Sequence, residues 1–318
     1  MEELIKDFVN YKSKVELRDD KTIQSYIERL RGLFSYYNIS TKEEIISLKA
    51  KQVESWLAYL VEKKDNSINT RNLKLTAVKL FYKYLQKNKY DIDESIFDIV
   101  HVRPPKKVMH YLKKSEFDHY IYHIGNLRTK AMVVVLLQTG MRFSEIQQMT
   151  VEDFEKGRGI IHGKGNKERI YVLNDECTEP VLKYYNQKRK HIIERTGVKT
   201  NLLFISDYGG EVNKTNFNGS LKYYAKKAGF EWWQEMSAHK LRHSFITSKL
   251  QERETFIDEN GNEQELGLKY DLKTISMAVG HSSIQVTDRY SHTEDDKIKE
   301  MMLGGNSDGK DRGYITLQ

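Results

Sequence analysis

Apolar residues recur at spacings of three and four along most of this chain and alternate with polar ones only briefly. Ile23, Tyr26, Ile27, Leu30, Leu33, Phe34 and Tyr37 keep the helical period while Glu28, Arg29 and Arg31 fall between them, which predicts an amphipathic helix with one buried face. A second such stripe, Leu73, Ala77, Leu80, Phe81, Tyr84 and Leu85, predicts a helix from about Thr70 to Lys87. Shorter helices are expected over Glu3 to Val15 and Lys51 to Lys63. Residues 1–100 therefore read as a small four-helix unit.

The pattern breaks at Arg103-Pro-Pro-Lys-Lys107, where proline removes an amide donor and biases its predecessor to extended geometry. An interdomain linker is expected over residues 101–111. Beyond it, Ser115 is a candidate helix cap, and the apolar run Ala131 to Gln138 reads as a buried helix stopped by Gly140. Ile160-Ile161 and Ile170-Tyr171-Val172-Leu173 flank Gly163-Lys164-Gly165-Asn166, the signature of two strands joined by a glycine-rich turn. Helices are expected again over Glu179 to Arg195, Asn216 to Ala228, His239 to Gln251 and Leu272 to Val279, with a short one over Asp295 to Met302. A second domain spanning 112–303 follows, with an inserted hairpin at 255–270 and a tail at 304–318 rich in Gly, Asp, Ser and Asn. The fold class is mainly α with a small β-sheet.

Composition narrows the possibilities only modestly. With 39% hydrophobic and 11% aromatic residues in 318, the chain has enough apolar material for two cores. No uncharged apolar run approaches the roughly eighteen residues of a membrane span, and the acidic start Met1-Glu2-Glu3-Leu4 is unlike a signal peptide. A cytoplasmic, nucleoid-associated protein is expected, with no membrane partner. The single cysteine, Cys177, excludes an internal disulfide and a cysteine-type zinc site, so no metal or cofactor is expected. The net charge of +7 favours a polyanionic partner.

That charge is concentrated. Lys63, Lys64, Arg71, Lys74, Lys79, Lys83, Lys87 and Lys89 face a single acidic residue, Asp65, within 27 residues. Lys79, Lys83 and Lys87 are four apart and would line one helix face, along which a phosphate backbone could lie.

Four separated segments each hold a basic or hydroxyl group beside a glycine turn or a helix start. They are Thr139-Gly-Met-Arg142-Phe-Ser-Glu145, Gly163-Lys164-Gly-Asn-Lys167-Glu-Arg169, His239-Lys-Leu-Arg242-His243-Ser, and Gly280-His281-Ser-Ser-Ile-Gln-Val-Thr-Asp-Arg289-Tyr290. In this order they resemble the tyrosine recombinases, the integrase family that includes phage integrases and Xer-type recombinases. The resemblance runs motif by motif through nearly all of residues 112–292 and in character only over the helical N-terminal unit. It implies a SAM-like core-binding domain followed by a mixed α+β catalytic domain, the two enclosing a DNA duplex.

The implied roles agree with what the chemistry requires. Breaking a phosphodiester without a metal demands cations on the non-bridging oxygens, and guanidiniums offer a planar, permanently charged fork; Arg142 and Arg242 fit. Lys164 matches the family lysine that protonates the leaving 5′ oxygen, with Lys167 the competing candidate. His239, one helical turn before Arg242, would take the nucleophile's proton or hold it in place. His281 would hydrogen-bond the phosphate. Tyr290, one of twenty tyrosines, is singled out by its place nine residues after His281 as the nucleophile. Glu145 would orient the cluster. Lys63, Lys64, Arg71, Lys74, Lys79, Lys83, Lys87, Lys167 and Arg169 would contact DNA.

One departure stands out. The 39-residue interval from Arg242 to His281 is long for the family, and around and within its hairpin it carries Glu252, Glu254, Asp258, Glu259, Glu263 and Glu265, which repel phosphate. A neighbouring protomer or an accessory protein is the expected contact. The reading is a site-specific recombinase that acts as a homotetramer on double-stranded DNA through a 3′-phosphotyrosine and a Holliday junction, in integration, excision or resolution. No arm-binding domain is expected ahead of the first helices. The alternatives are a relaxing topoisomerase of type IB and a non-catalytic DNA-binding regulator; an aromatic-basic RNA-binding module is not recognisable.

Overall fold

The computed structural model describes residues 1–105, 109–162, 168–257 and 262–280. The chain divides into two compact units, Met1–Val108 and Met109–Gln318.

The first unit is all helical: α1 Glu2–Asn10, α2 Asp20–Tyr36, α3 Lys42–Ser47, α4 Ala50–Glu62 and α5 Ile68–Lys87. Asp19 starts α2 by accepting the Thr22 amide at 2.9 Å, and Ser67 starts α5 by accepting that of Thr70 at 3.2 Å. The apolar stripes meet in a core of Phe8, Leu30, Phe34, Trp56, Phe81 and Tyr82, where the Phe8 and Phe81 rings meet edge to face at 5.1 Å. The six residues of α3 are too short to show a period and were not expected as a helix. The Thr41–Glu44 capping box and the Tyr82 hydroxyl, which donates to the Ile45 carbonyl at 2.6 Å, hold α3 in place.

The basic residues of this unit are not one free row. Lys79 donates to the Phe97 carbonyl at 2.6 Å, Lys87 lies over the Tyr11 ring, Arg71 donates to the Val100 carbonyl, and Lys74 is half-buried over Trp56. Lys79 is thus engaged within the fold, whereas Lys87 stays exposed beside Tyr11. Lys63, Lys64 and Lys83 are exposed.

The second unit is built around α7 Leu127–Thr139, which follows α6 Phe117–Tyr122. Every residue from Ala131 to Leu137 is at least 95% buried, so α7 is apolar on all sides as a central helix must be. Around and after it come α8 Phe143–Gln147, α9 Val151–Glu155, the antiparallel strands β1 Arg158–His162 and β2 Glu168–Val172, α10 Asp175–Tyr184, α11 Lys190–Thr196, α12 Lys214–Lys227 and α13 Ala238–Gln251. A second antiparallel pair, β3 Arg253–Ile257 and β4 Glu263–Leu268, precedes α14 Leu272–Val279. Residues 163–167, with Lys164 and Lys167, join β1 to β2 and lie outside the described residues.

Two local expectations are corrected. Ser115 does not cap a helix: it sits inside a 3-10 turn, Lys114–Glu116, where the Glu116 carboxylate accepts the Lys113 amide at 2.7 Å. The helix expected from Glu179 begins earlier, at Asp175, and passes through a π turn at Tyr185–Arg189 before α11.

Gly140 fixes how α7 hands over to α8. It ends α7 in the left-handed conformation at φ 62°, and a Cβ there would lie 2.3 Å from the Phe245 ring of α13. Only glycine lets α13 come so near, and its carbonyl then serves the active centre described below. Gly140→Ala is expected to destabilise the protein by about 2–4 kcal/mol through backbone strain and overpacking. Urea unfolding followed by the fluorescence of Trp232 and Trp233 measures this; an unchanged midpoint would contradict it.

Candidate active site

A buried carboxylate gathers the cations. Glu145, in the first turn of α8, accepts the Arg142 amide at 2.6 Å and the Arg142 guanidinium at 2.8 Å. Across the centre, Arg169 from β2 donates two parallel bonds to the same carboxylate, at 2.9 and 2.7 Å. Arg242 from α13 stands 4.0 Å away. Burial pushes the Glu145 carboxyl pKa up, but hydrogen bonds and charge from Arg169 and Arg142 outweigh it and bring it down to about 2.

The same guanidiniums also close a helix end. The last carbonyls of an α-helix have no partner within it. At the end of α14, Arg169 Nε donates to the Ala278 carbonyl at 2.9 Å, Arg242 to Val279 at 2.5 Å and Arg142 to Gly280 at 2.7 Å. Arg242 is 98% buried and its other edge donates to the Gly140 carbonyl at 2.7 Å, whereas the Arg142 side chain remains 43% exposed. Gly280 leaves the helix at φ 65°, and residues 281–290 follow directly. His281 and Tyr290 lie outside the described residues.

His239 occupies the first turn of α13, which Ser237 starts by accepting the Lys240 amide. The His239 ring reaches solvent, yet partial burial and the positive charge of Arg242, Lys214, Lys240 and Arg142 hold its pKa below the ordinary value. That shift favours the neutral imidazole, the form able to accept a proton. Next to it, His243 is buried, stacked on Tyr111, and held to about 4, chiefly by burial.

The expected residues Arg142, Glu145, His239 and Arg242 thus come together from two elements about a hundred positions apart. Arg169 belongs with them, which corrects its expected place on DNA: its side chain is only 12% exposed and is committed to Glu145 and Ala278. Lys214 at the start of α12 joins the positive field around His239 and was missed, since nothing in its local sequence marks it. A cavity of about 910 Å³ under the β1–β2 hairpin borders Glu145 but is lined by neither Arg142 nor Arg242, so it is not the centre of this cluster. Among the described residues no group of three or more His, Cys, Asp or Glu could hold a metal ion, and no helix is long and apolar enough to cross a membrane.

Because Glu145 titrates near 2 when folded against 4.5 ordinarily, its contribution to stability is present above pH 4.5 and is lost as pH falls toward 2. Glu145→Gln is expected to cost about 3 kcal/mol at pH 7, from the pKa difference. Denaturation of both proteins across pH 2–7 checks it: the gap should close below pH 4.5, and a pH-independent gap would contradict the assignment.

Comparison with known proteins agrees with this arrangement. Residues 106–255 match the phage integrase family and residues 5–89 the phage integrase N-terminal SAM-like domain, together well over half of the chain. Tyrosine recombinase XerD of Yersinia pestis is 25% identical over 292 residues, covering 89% of this chain and 90% of its own. XerD of Staphylococcus epidermidis strain RP62A is 26% identical over 311 residues, covering 95% and 97%. In structure, the chain is similar to the Tn1549 transposon integrase in complex with transposon right end DNA, at TM-score 0.66 and 18% identity over 95% of this chain and 99% of that one. It is likewise similar to the XerH site-specific recombinase in its post-cleavage complex, at TM-score 0.65 and 20% identity over 88% and 79%. With both domains matched and the two arginines converging on the segment that leads to Tyr290, the chain belongs to the phage integrase family and is a tyrosine site-specific recombinase.

Proposed function

We propose that this recombinase breaks and rejoins double-stranded DNA with Tyr290 as nucleophile, Arg142 and Arg242 on the scissile phosphate, Lys164 as general acid, and His239 and His281 as hydrogen-bonding partners. The observation that carries the reading is the hold of Arg142 and Arg242 on the consecutive carbonyls of Gly280 and Val279. That hold fixes the start of the short segment to Tyr290 beside both phosphate-binding groups. The XerH structure is described as bound to a palindromic difH substrate and that of lambda integrase as a dimer bound to a COC′ core site, which supports duplex DNA as the substrate.

The phenolic oxygen of Tyr290 attacks phosphorus, the bond to the 5′ oxygen breaks, and the phosphate remains on the tyrosine as a 3′ ester. Lys164 gives a proton to the departing 5′ oxygen, and neutral His239 takes the one that the phenol releases. Negative charge growing on the non-bridging oxygens is met by guanidiniums already fixed in place. The bond formed is of the same class as the bond lost, so a 5′ hydroxyl from another strand reverses the reaction without ATP. Exchanging two duplexes needs four such breaks, one nucleophile each, which supports a homotetramer and a Holliday-junction intermediate. In the helical unit, exposed Lys63, Lys64 and Lys83 supply phosphate contacts. The acidic β3–β4 hairpin faces protein rather than DNA, either a neighbouring protomer or an accessory protein. The relatives are recombinases, which favours this reading over topoisomerase or binder.

The test uses duplexes selected from a randomised pool by retention on the protein, each then nicked so that religation fails. Wild type is expected to accumulate an adduct that survives denaturation, and Tyr290→Phe none, with binding retained. An adduct persisting in Tyr290→Phe would contradict the assignment.

A further inference from the structure

Arg169 is a covered guanidinium whose side chain is only 12% exposed. Its fork is filled by the two Glu145 oxygens and its third edge by the Ala278 carbonyl, with 88% of the side chain covered. Three elements meet on it: β2, which follows the turn carrying Lys164; α8, which starts at Arg142; and the end of α14, which leads to His281 and Tyr290. Gly280 makes the space for this, since a Cβ there would come within 3.1 Å of the Arg169 guanidinium.

We propose that Arg169 is a positioning residue for strand cleavage, holding the Glu145 carboxylate that orients Arg142 and Arg242 and tying it to the helix end that leads to the nucleophile. The proposal rests on the recombinase reading above. Without Arg169, the Glu145 charge is shared by Arg142 and Arg242 alone and draws their forks inward, away from phosphate. Lysine cannot substitute, because a single ammonium cannot offer a parallel pair to a carboxylate and a third bond to a carbonyl on the far edge.

Arg169→Ala, Arg169→Lys and wild type are compared in single-turnover cleavage of the selected nicked duplex, across pH 4–9. DNA affinity is expected to stay within about twofold, since Arg169 is covered. Cleavage is expected to fall about 100-fold in Arg169→Ala and about tenfold in Arg169→Lys, the scale of a misplaced reacting group. A role in stability alone would leave the pH profile unmoved. Here Glu145 is faced by Arg142, Arg169 and Arg242, so losing Arg169 raises its pKa, and Arg169→Ala should lose rate on the acid side beyond the loss that protonation of His239 gives in wild type. Millimolar guanidinium should restore part of the Arg169→Ala rate.

Cleavage by Arg169→Ala at the wild-type rate, or a loss with neither an acid-side change nor rescue, overturns the proposal. If Arg169→Ala does not fold, Arg169→Lys decides: wild-type cleavage by it overturns the proposal, and slow cleavage with unchanged affinity supports it. Wild type that forms no adduct overturns the recombinase reading itself, an outcome separate from any failure of Arg169.

Discussion

Three arginines from three parts of the chain cannot share one small volume unless something negative stands between them, and Glu145 is that charge. At a few ångströms, like charges repel by several kcal/mol in a partly buried setting. One carboxylate at 2.7–2.9 Å from two guanidiniums and 4.0 Å from a third converts that repulsion into a scaffold. The rest of the second unit can be understood as bringing α8, β2, α13 and the end of α14 to this point. Gly140 admits Phe245, α13 settles against α7, and Arg242 becomes buried within reach of both Gly140 and Val279.

The second constraint is the open end of α14. Carbonyls that a helix leaves unpaired accumulate partial negative charge, and here three successive ones are capped by cations. The cations suited to bind a phosphate are therefore also the ones that hold the end of α14, from which the chain runs on toward Tyr290. The helical unit follows another logic, with several of its basic side chains capping carbonyls or lying over aromatic rings and others left on the surface.

Much of this was legible in the residues alone. The stripes Ile23 to Tyr37 and Leu73 to Leu85 became α2 and α5 because long amphipathic periods have few alternatives. Arg142, Glu145, His239 and Arg242 could be named because their segments, taken in order, resemble the motifs of the tyrosine recombinases. What escaped depends on distance through space. The helix α3 is too short for a period, and Ser115 looks like a cap although it lies inside the 3-10 turn Lys114–Glu116, where Glu116 accepts the Lys113 amide. Arg169, beside a basic turn, reads as a phosphate contact; only its bonds to Glu145, 24 residues back, and Ala278, 109 residues ahead, reveal a different task. The lysines of α5 show the same limit, because spacing tells which face a side chain shares and not which carbonyl claims it.

The proposed chemistry requires that the phenolic oxygen of Tyr290 be the atom delivered to phosphorus. Trypsin digestion of the trapped protein–DNA adduct, nuclease trimming and mass spectrometry locate the bond directly. A residual nucleotide is expected on the peptide 290–297, attached at Tyr290. A nucleotide found on any other residue would contradict it.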